Sequence, residues 1–194
     1  MIDYKNYIDS LLSALEDMQV TGIDGREISQ EEGLSQWCKI TSTLRAVNAT
    51  MYFVGNGASA MMASHMAADA SKNGQFRSVA FNDAALMTAV SNDISYEESF
   101  AMPLKRFADS GAVLVTISSS GNSPNIVRAI EVARELGLQV VTLSGMKPDN
   151  RSRQMGDLNF YIPADTYGVV EVTHQALLHC WLDKFMENEG LTIG

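Results

Sequence analysis

The segment Ser118-Ser119-Ser120-Gly121-Asn122-Ser123 places four hydroxyls around one glycine, immediately ahead of Pro124. The apolar run from Ala112 to Ile117 before it reads as a strand, and Pro124 to about Leu136 reads as a helix. Pro124 suits the first helical position, where its missing N–H would have no partner anyway, and Ser123 is then the N-cap. A strand-to-helix junction of this kind aims free backbone N–H groups and the positive end of a helix dipole at the turn. It can hold a dianion such as phosphate without lysine or arginine. The plainer alternative is a capping turn whose serines bond only their own backbone. Four serines, a glycine and a proline at one junction favour the phosphate reading.

Two further pairs carry titratable groups. His65 and Asp69 are four residues apart on a predicted helix, so they share one face and form a two-ligand platform for a divalent metal. Glu171 and His179 are eight apart on the last predicted helix, within about 80° of each other around its axis. His174 is five residues from His179, about 140° away, and is expected to be structural. The methionines at 61, 62 and 66 read as packing.

A second turn, Gly55-Asn56-Gly57-Ala58-Ser59, follows the apolar run Met51 to Val54 and opens another helix. Its glycine spacing fits a loose dinucleotide fingerprint, with Asp83 after the second strand. That acidic residue comes later than the usual offset of about 20 residues, and a dinucleotide fold has no need of the serine turn. The reading adopted is that both turns converge on one ligand, with Asn56, Gly57, Ala58 and Ser59 toward sugar hydroxyls. Asn92-Asp93 reads equally as a third contact to that ligand and as a helix-terminating turn.

The elements that must position these groups follow from periodicity. Two helices, about Tyr4 to Val20 and from Ser29 through Leu44, form an N-terminal extension over 1–48, ahead of any strand. Ser29 and Glu32 have capping-box spacing. Over 51–188 short apolar strands alternate with helices: Met51–Val54, Ser78–Phe81, Ala112–Ile117, Gln139–Leu143 and Asn159–Ile162. The helices expected between and after them include one over Tyr96–Ala108 and a last one over Gly168–Met186. The expectation is one α/β domain over 1–194, with a five-stranded parallel sheet between helical layers.

Bulk properties narrow the function. A formal net charge of −9 disfavours nucleic-acid backbones and anionic membranes as partners. Two cysteines without C-x-x-C spacing give no zinc knuckle or disulfide framework, which fits a reducing cytosol. The start, Met1-Ile2-Asp3-Tyr4-Lys5, lacks the basic and apolar character of a secretory leader, and a cytoplasmic protein is expected.

Taken together, the Gly55–Ser59 turn, Ser91-Asn92-Asp93 and the Ser118–Ser123 turn resemble the sugar isomerase (SIS) domain family, within it the phosphoheptose isomerases. The resemblance covers roughly Met51 to Met186. It implies a flavodoxin-like α-β-α sandwich, a homotetramer with sites formed between subunits, and an aldose–ketose isomerase. The reaction implied converts sedoheptulose 7-phosphate to D-glycero-D-manno-heptose 7-phosphate, a precursor for lipopolysaccharide or capsule. An isomerase of another sugar phosphate, or a non-catalytic phosphosugar-binding SIS protein, are the alternatives.

Residue by residue, the resemblance implies substrate contacts from Asn56, Gly57, Ala58, Asn92, Asp93, Ser118, Ser119, Ser120 and Ser123. It makes His65 and His179 metal ligands, zinc being expected, and His179 also an acid/base. Asp69 stands where the family has a glutamate that is both ligand and base, and Glu171 where it has glutamine. His65, Asp69, Glu171 and His179 are therefore the expected metal set, with Asp69, Glu171 and His179 catalytic. Glu171, which also lies among the substrate contacts, is expected to restore the reach that the shorter Asp69 loses.

Overall fold

The computed structural model of the chain describes residues 3–192. Its centre is a sheet in the order β2-β1-β7-β6-β5-β3-β4. Five strands are mutually parallel: β3 (Met51–Gly55), β4 (Ser78–Ala80), β5 (Val113–Ser118), β6 (Gln139–Gly145) and β7 (Leu158–Ile162). These match the five expected from sequence, and strands β3, β5, β6 and β7 are buried at nearly every position, as a sheet covered on both faces requires.

Two strands were not anticipated. β1 (Gln19–Gly22) and β2 (Glu27–Ile28) form a hairpin, and β1 pairs antiparallel with β7. The expected five-stranded sheet is therefore seven-stranded, and the N-terminal helices do not precede every strand. The first helix, α1 (Tyr4–Glu16), stops short of the expected Val20 for this reason. Runs of four and two residues are too short for a period-two signal; pairing to β7 makes them strands. The expected helix over Tyr96–Ala108 is divided into a 3-10 turn at Tyr96–Glu98 and α5 (Ala101–Phe107), and Asn92 and Asp93 are the last residues of α4 (Ala84–Asp93).

One apolar core gathers α1, α2 (Gln30–Ala46), α3 (Ala58–Lys72) and α7 (Tyr167–Asn188) on one face of the sheet. The other gathers α5 and α6 (Pro124–Glu135) with the opposite side chains of β3, β5 and β6. Trp37 of α2 stacks on Trp181 of α7, with centroids 4.3 Å apart and both rings fully buried. That stack fixes α7, whose N-terminal half reaches the site. Strand order reverses between β3 and β5, because β4 lies outside β3 and the chain then crosses back. The crevice beyond the carboxyl ends of β3 and β5 is where open α/β sheets take ligands.

Candidate functional site

Both turns singled out in the sequence open into that crevice. Gly55–Ser59 leads from β3 into α3, and Ser118–Ser123 leads from β5 into α6. Neither helix has a side-chain cap: Gly57 carries no hydroxyl, and Ser123 makes no capping bond. The two turns, with the positive ends of the helices they open, border one cavity of about 260 Å³. Its walls include Asn56, Gly57, Ala58 and Ser59 from the first turn and Ser118, Ser119, Ser120 and Ser123 from the second, with Tyr167 and Glu171 from α7.

The hydroxyls differ in what they already hold. Ser119 Oγ is buried with no hydrogen-bond partner. Ser120 Oγ accepts from Asn122 N at 3.3 Å, so it is partly engaged by its own turn. An orphaned buried hydroxyl costs stability unless a ligand completes it, which favours the anion site over the plain capping turn. No lysine or arginine lines the cavity. The polar groups it offers an anion are backbone and hydroxyl dipoles, beside the carboxylate of Glu171.

The serine turn is supported from behind. Gly121 has φ +62°, and a Cβ there would meet Asn150 Oδ1 at 2.0 Å. Asn150 is buried, donating to Lys147 O at 2.8 Å and Ser144 Oγ at 3.2 Å and accepting from Arg153 N at 3.0 Å. Ser152 N donates to Gly121 O at 2.9 Å, and Arg151 N to Asn122 Oδ1 at 3.1 Å. The loop after β6 therefore locks the turn after β5.

The histidine cluster lies farther along the same helices. His65 Nε2 is 3.3 Å from Asp69 Oδ2, and the rings of His65 and His179 stand edge to face with centroids 5.2 Å apart. One ligand atom from each of His65, Asp69 and His179 falls within 4.8 Å of the others. Two imidazoles and a carboxylate suit a borderline metal, and three protein ligands leave a coordination position open. Glu171 falls outside this trio and lines the serine cavity. Eight residues along a helix is about 12 Å of rise, which separates Glu171 from His179 despite their similar direction.

Asn92 and Asp93 are exposed, bond to each other at 2.8 Å and do not line the cavity. The segment they begin does approach it, since Tyr96 OH donates to Asn56 Oδ1 at 2.9 Å. Asn125, Tyr96, Asn150 and Tyr167 were missed by sequence reasoning. Asn125 carried a usable signal: it is an amide in the otherwise apolar run Asn125-Ile126-Val127. A larger cavity of about 580 Å³ lies at the β4 edge against Tyr52, Val79, Phe81, Leu86 and Phe107. Its exposed wall is mostly apolar, with Thr50, Ser71, Arg77, Ser78 and Asp83 also on its lining, whereas the two sequence-predicted turns meet only in the smaller cavity.

The SIS domain family model matches residues 3–145. The phosphoheptose isomerase of Akkermansia muciniphila is 35% identical over 145 residues, covering 72% of this chain and 76% of that protein. The fold is similar to phosphoheptose isomerase from Neisseria gonorrhoeae, with TM-score 0.80, 24% identity and 94% of both chains covered. It is also similar to the Vibrio vulnificus NanR protein, solved in complex with ManNAc-6P, with TM-score 0.68, 14% identity, and 95% of this chain and 60% of that one covered.

Proposed function

This chain belongs to the SIS domain family, and on that premise we propose that it is a metal-assisted phosphosugar isomerase converting sedoheptulose 7-phosphate to D-glycero-D-manno-heptose 7-phosphate. The observation that carries the reading is that α3 and α7, which carry the His–Asp–His trio, also line the serine cavity near their N-terminal ends. From the cavity-lining Ala58 to His65 on α3, and from Glu171 to His179 on α7, the rise is about 10–12 Å. A seven-carbon sugar phosphate carries its reacting C1–C2 end six carbons from its phosphate and is of that order in length.

In this reading the Ser118–Ser123 turn and the N-terminus of α6 hold the phosphate, and Ser119 gains the partner it lacks. Asn56–Ser59 and Glu171 meet sugar hydroxyls, and Asn92 and Asp93, which do not line the cavity, would reach the ligand only if their segment moves toward it. Asp69 takes the proton from C1, leaving an enediol, and returns it to C2. His179 moves protons between the C1 and C2 oxygens as the carbonyl changes place. His65, Asp69 and His179 are the residues that would hold a divalent ion, zinc by their donor set, and Glu171 is not required for it. Such an ion supplies polarisation of the substrate carbonyl.

A subunit assembly with sites completed between copies, a homotetramer as in the family resemblance, and a cytoplasmic setting belong to the same reading. Among the described residues no helix is long and apolar enough to cross a membrane. The test is turnover of sedoheptulose 7-phosphate in D2O with zinc supplied, followed by deuterium incorporation at C2. Incorporation with aldose formation is expected. Phosphosugar binding without turnover across heptose, hexose and pentose phosphates, and without stoichiometric metal, would make the chain a phosphosugar sensor instead.

A further inference from the structure

The two ligand-facing turns are held in register by β3 and β5 only as far as the last ladder pair, Gly55 with Ile117. Beyond it the chains diverge into separate helices. A single device bridges them. Asn56 Nδ2 donates to Asn125 Oδ1 at 2.9 Å, and Asn125 Nδ2 donates to Asn56 Oδ1 at 2.9 Å. Among the described residues these are the only side-chain hydrogen bonds between residues 55–59 and residues 118–125.

The pair is built to be rigid. Asn125, the second residue of α6, is 1% exposed, and its amide also donates to the buried Ser99 Oγ at 3.3 Å. Asn56 Oδ1 takes a second bond, from Tyr96 OH at 2.9 Å. Asn56 O accepts from Ser59 N at 3.0 Å, so its side chain and backbone together set the turn that opens α3. One amide pair therefore joins three segments: the first turn, the N-terminus of α6 and the 3-10 turn at Tyr96–Glu98. Three of the four hydrogen-bonding positions of the Asn56 amide are taken within the protein, leaving one amide hydrogen for a sugar hydroxyl.

We infer that Asn125 is a positioning residue that fixes the separation of the two turns, so that a phosphosugar held by the serine turn meets the Asn56 turn at the correct spacing. This rests on the proposed function for the premise that one ligand spans both turns. Asn125 touches no substrate; it acts through Asn56. Inorganic phosphate needs only the serine turn, whereas sedoheptulose 7-phosphate needs both. The two ligands therefore respond differently when the tie is cut, and a general loss of structure would weaken both.

The experiment measures calorimetric dissociation constants for both ligands, and hydrogen exchange of the 55–60 backbone without ligand. The proteins compared are the intact chain and the variants Asn125→Ala, Asn125→Asp, Asn56→Ala and Asn56→Ala/Asn125→Ala. Expected are about tenfold or greater weakening for the sugar phosphate, less than about threefold for inorganic phosphate, and faster exchange at 55–60. The double variant is expected to be no worse than the weaker single one, as for two residues acting as a unit. Equal loss of both ligands, unchanged sugar-phosphate binding, or multiplicative effects in the double variant would overturn the inference. Should Asn125→Ala not fold, exchange in Asn125→Asp and Asn56→Ala decides it. If the intact chain binds phosphate but no sugar phosphate, the proposed function fails, while unchanged exchange at 55–60 in the variants refutes the positioning role separately.

Discussion

In the proposed reaction single side chains divide the work between holding a phosphate and moving a proton, and substitution separates them. Ser119 Oγ is buried without a partner, so Ser119→Ala removes an unpaired polar group from the free protein and a bond from the bound one. Urea unfolding should show stability unchanged or slightly raised, while KM for the sugar phosphate rises about tenfold or more. A matching loss of stability would mean that the hydroxyl is already satisfied. Asp69 and Glu171 make the second contrast. Asp69 sits with His65 and His179, while Glu171 lines the anion cavity. Asp69→Asn should reduce kcat by about a hundredfold or more, and Glu171→Gln should act mainly on KM. The reverse pattern would move the base to α7, as the expectation that Glu171 compensates for the shorter Asp69 requires.

Turns and the loops behind them decide whether those side chains are correctly placed. Gly121 and Gly137 both have positive φ, +62° and +72°, but only Gly121 has a neighbour where a Cβ would go, the buried amide of Asn150. Gly137→Ala should cost about 1 kcal/mol, the backbone preference alone. Gly121→Ala should cost about 2–4 kcal/mol, because Asn150 or the turn must also shift. Denaturant midpoints compare the two directly, and equal costs would show that Asn150 yields freely. Phosphate affinity should fall with Gly121→Ala and stay unchanged with Gly137→Ala, since Gly137 ends α6 at the far end from the cavity.

At the scale of the whole molecule, charge and burial set the response to solution conditions. His174 is fully buried; Nε2 lies 3.1 Å from Ser144 O, to which it donates, and Nδ1 has no partner. Burial pushes its pKa down from 6.5 to about 4. The unfolded chain therefore takes up a proton between pH 6.5 and 4 that the folded chain refuses. Stability is greatest above pH 6.5 and is lost as pH falls, by about 2 kcal/mol from this group between pH 7.5 and 5. Urea midpoints across that range test it: His174→Gln, which keeps a donor for Ser144, should lose this part of the slope. The net charge of −9 has a separate consequence. The cavity draws on dipoles rather than lysine or arginine, so the long-range field repels a sugar phosphate. Raising ionic strength from about 0.01 to 0.15 M should lower KM, whereas a cleft lined by cations would show the opposite trend.

By itself the sequence determined that a serine-rich turn stands between a buried strand and a helix, and that His65 and Asp69 share a helix face. Both are local: hydroxyls, Gly121 and Pro124 are consecutive, and an i, i+4 pair is set by helical pitch. It also gave the alternating strands and helices of the parallel core, because strands buried on both faces are legible as apolar runs. Tertiary structure decided the rest, since it depends on partners distant in the chain. β1 and β2 are strands because β7 is there to pair with β1. Glu171 shares a cavity with Ser118–Ser120 because α7 packs its N-terminal end beside the β5–α6 turn, more than fifty residues away in the chain. Asn125 and Asn150 acquire their roles from Asn56 and Gly121, contacts of 69 and 29 residues' separation that no periodicity or spacing encodes.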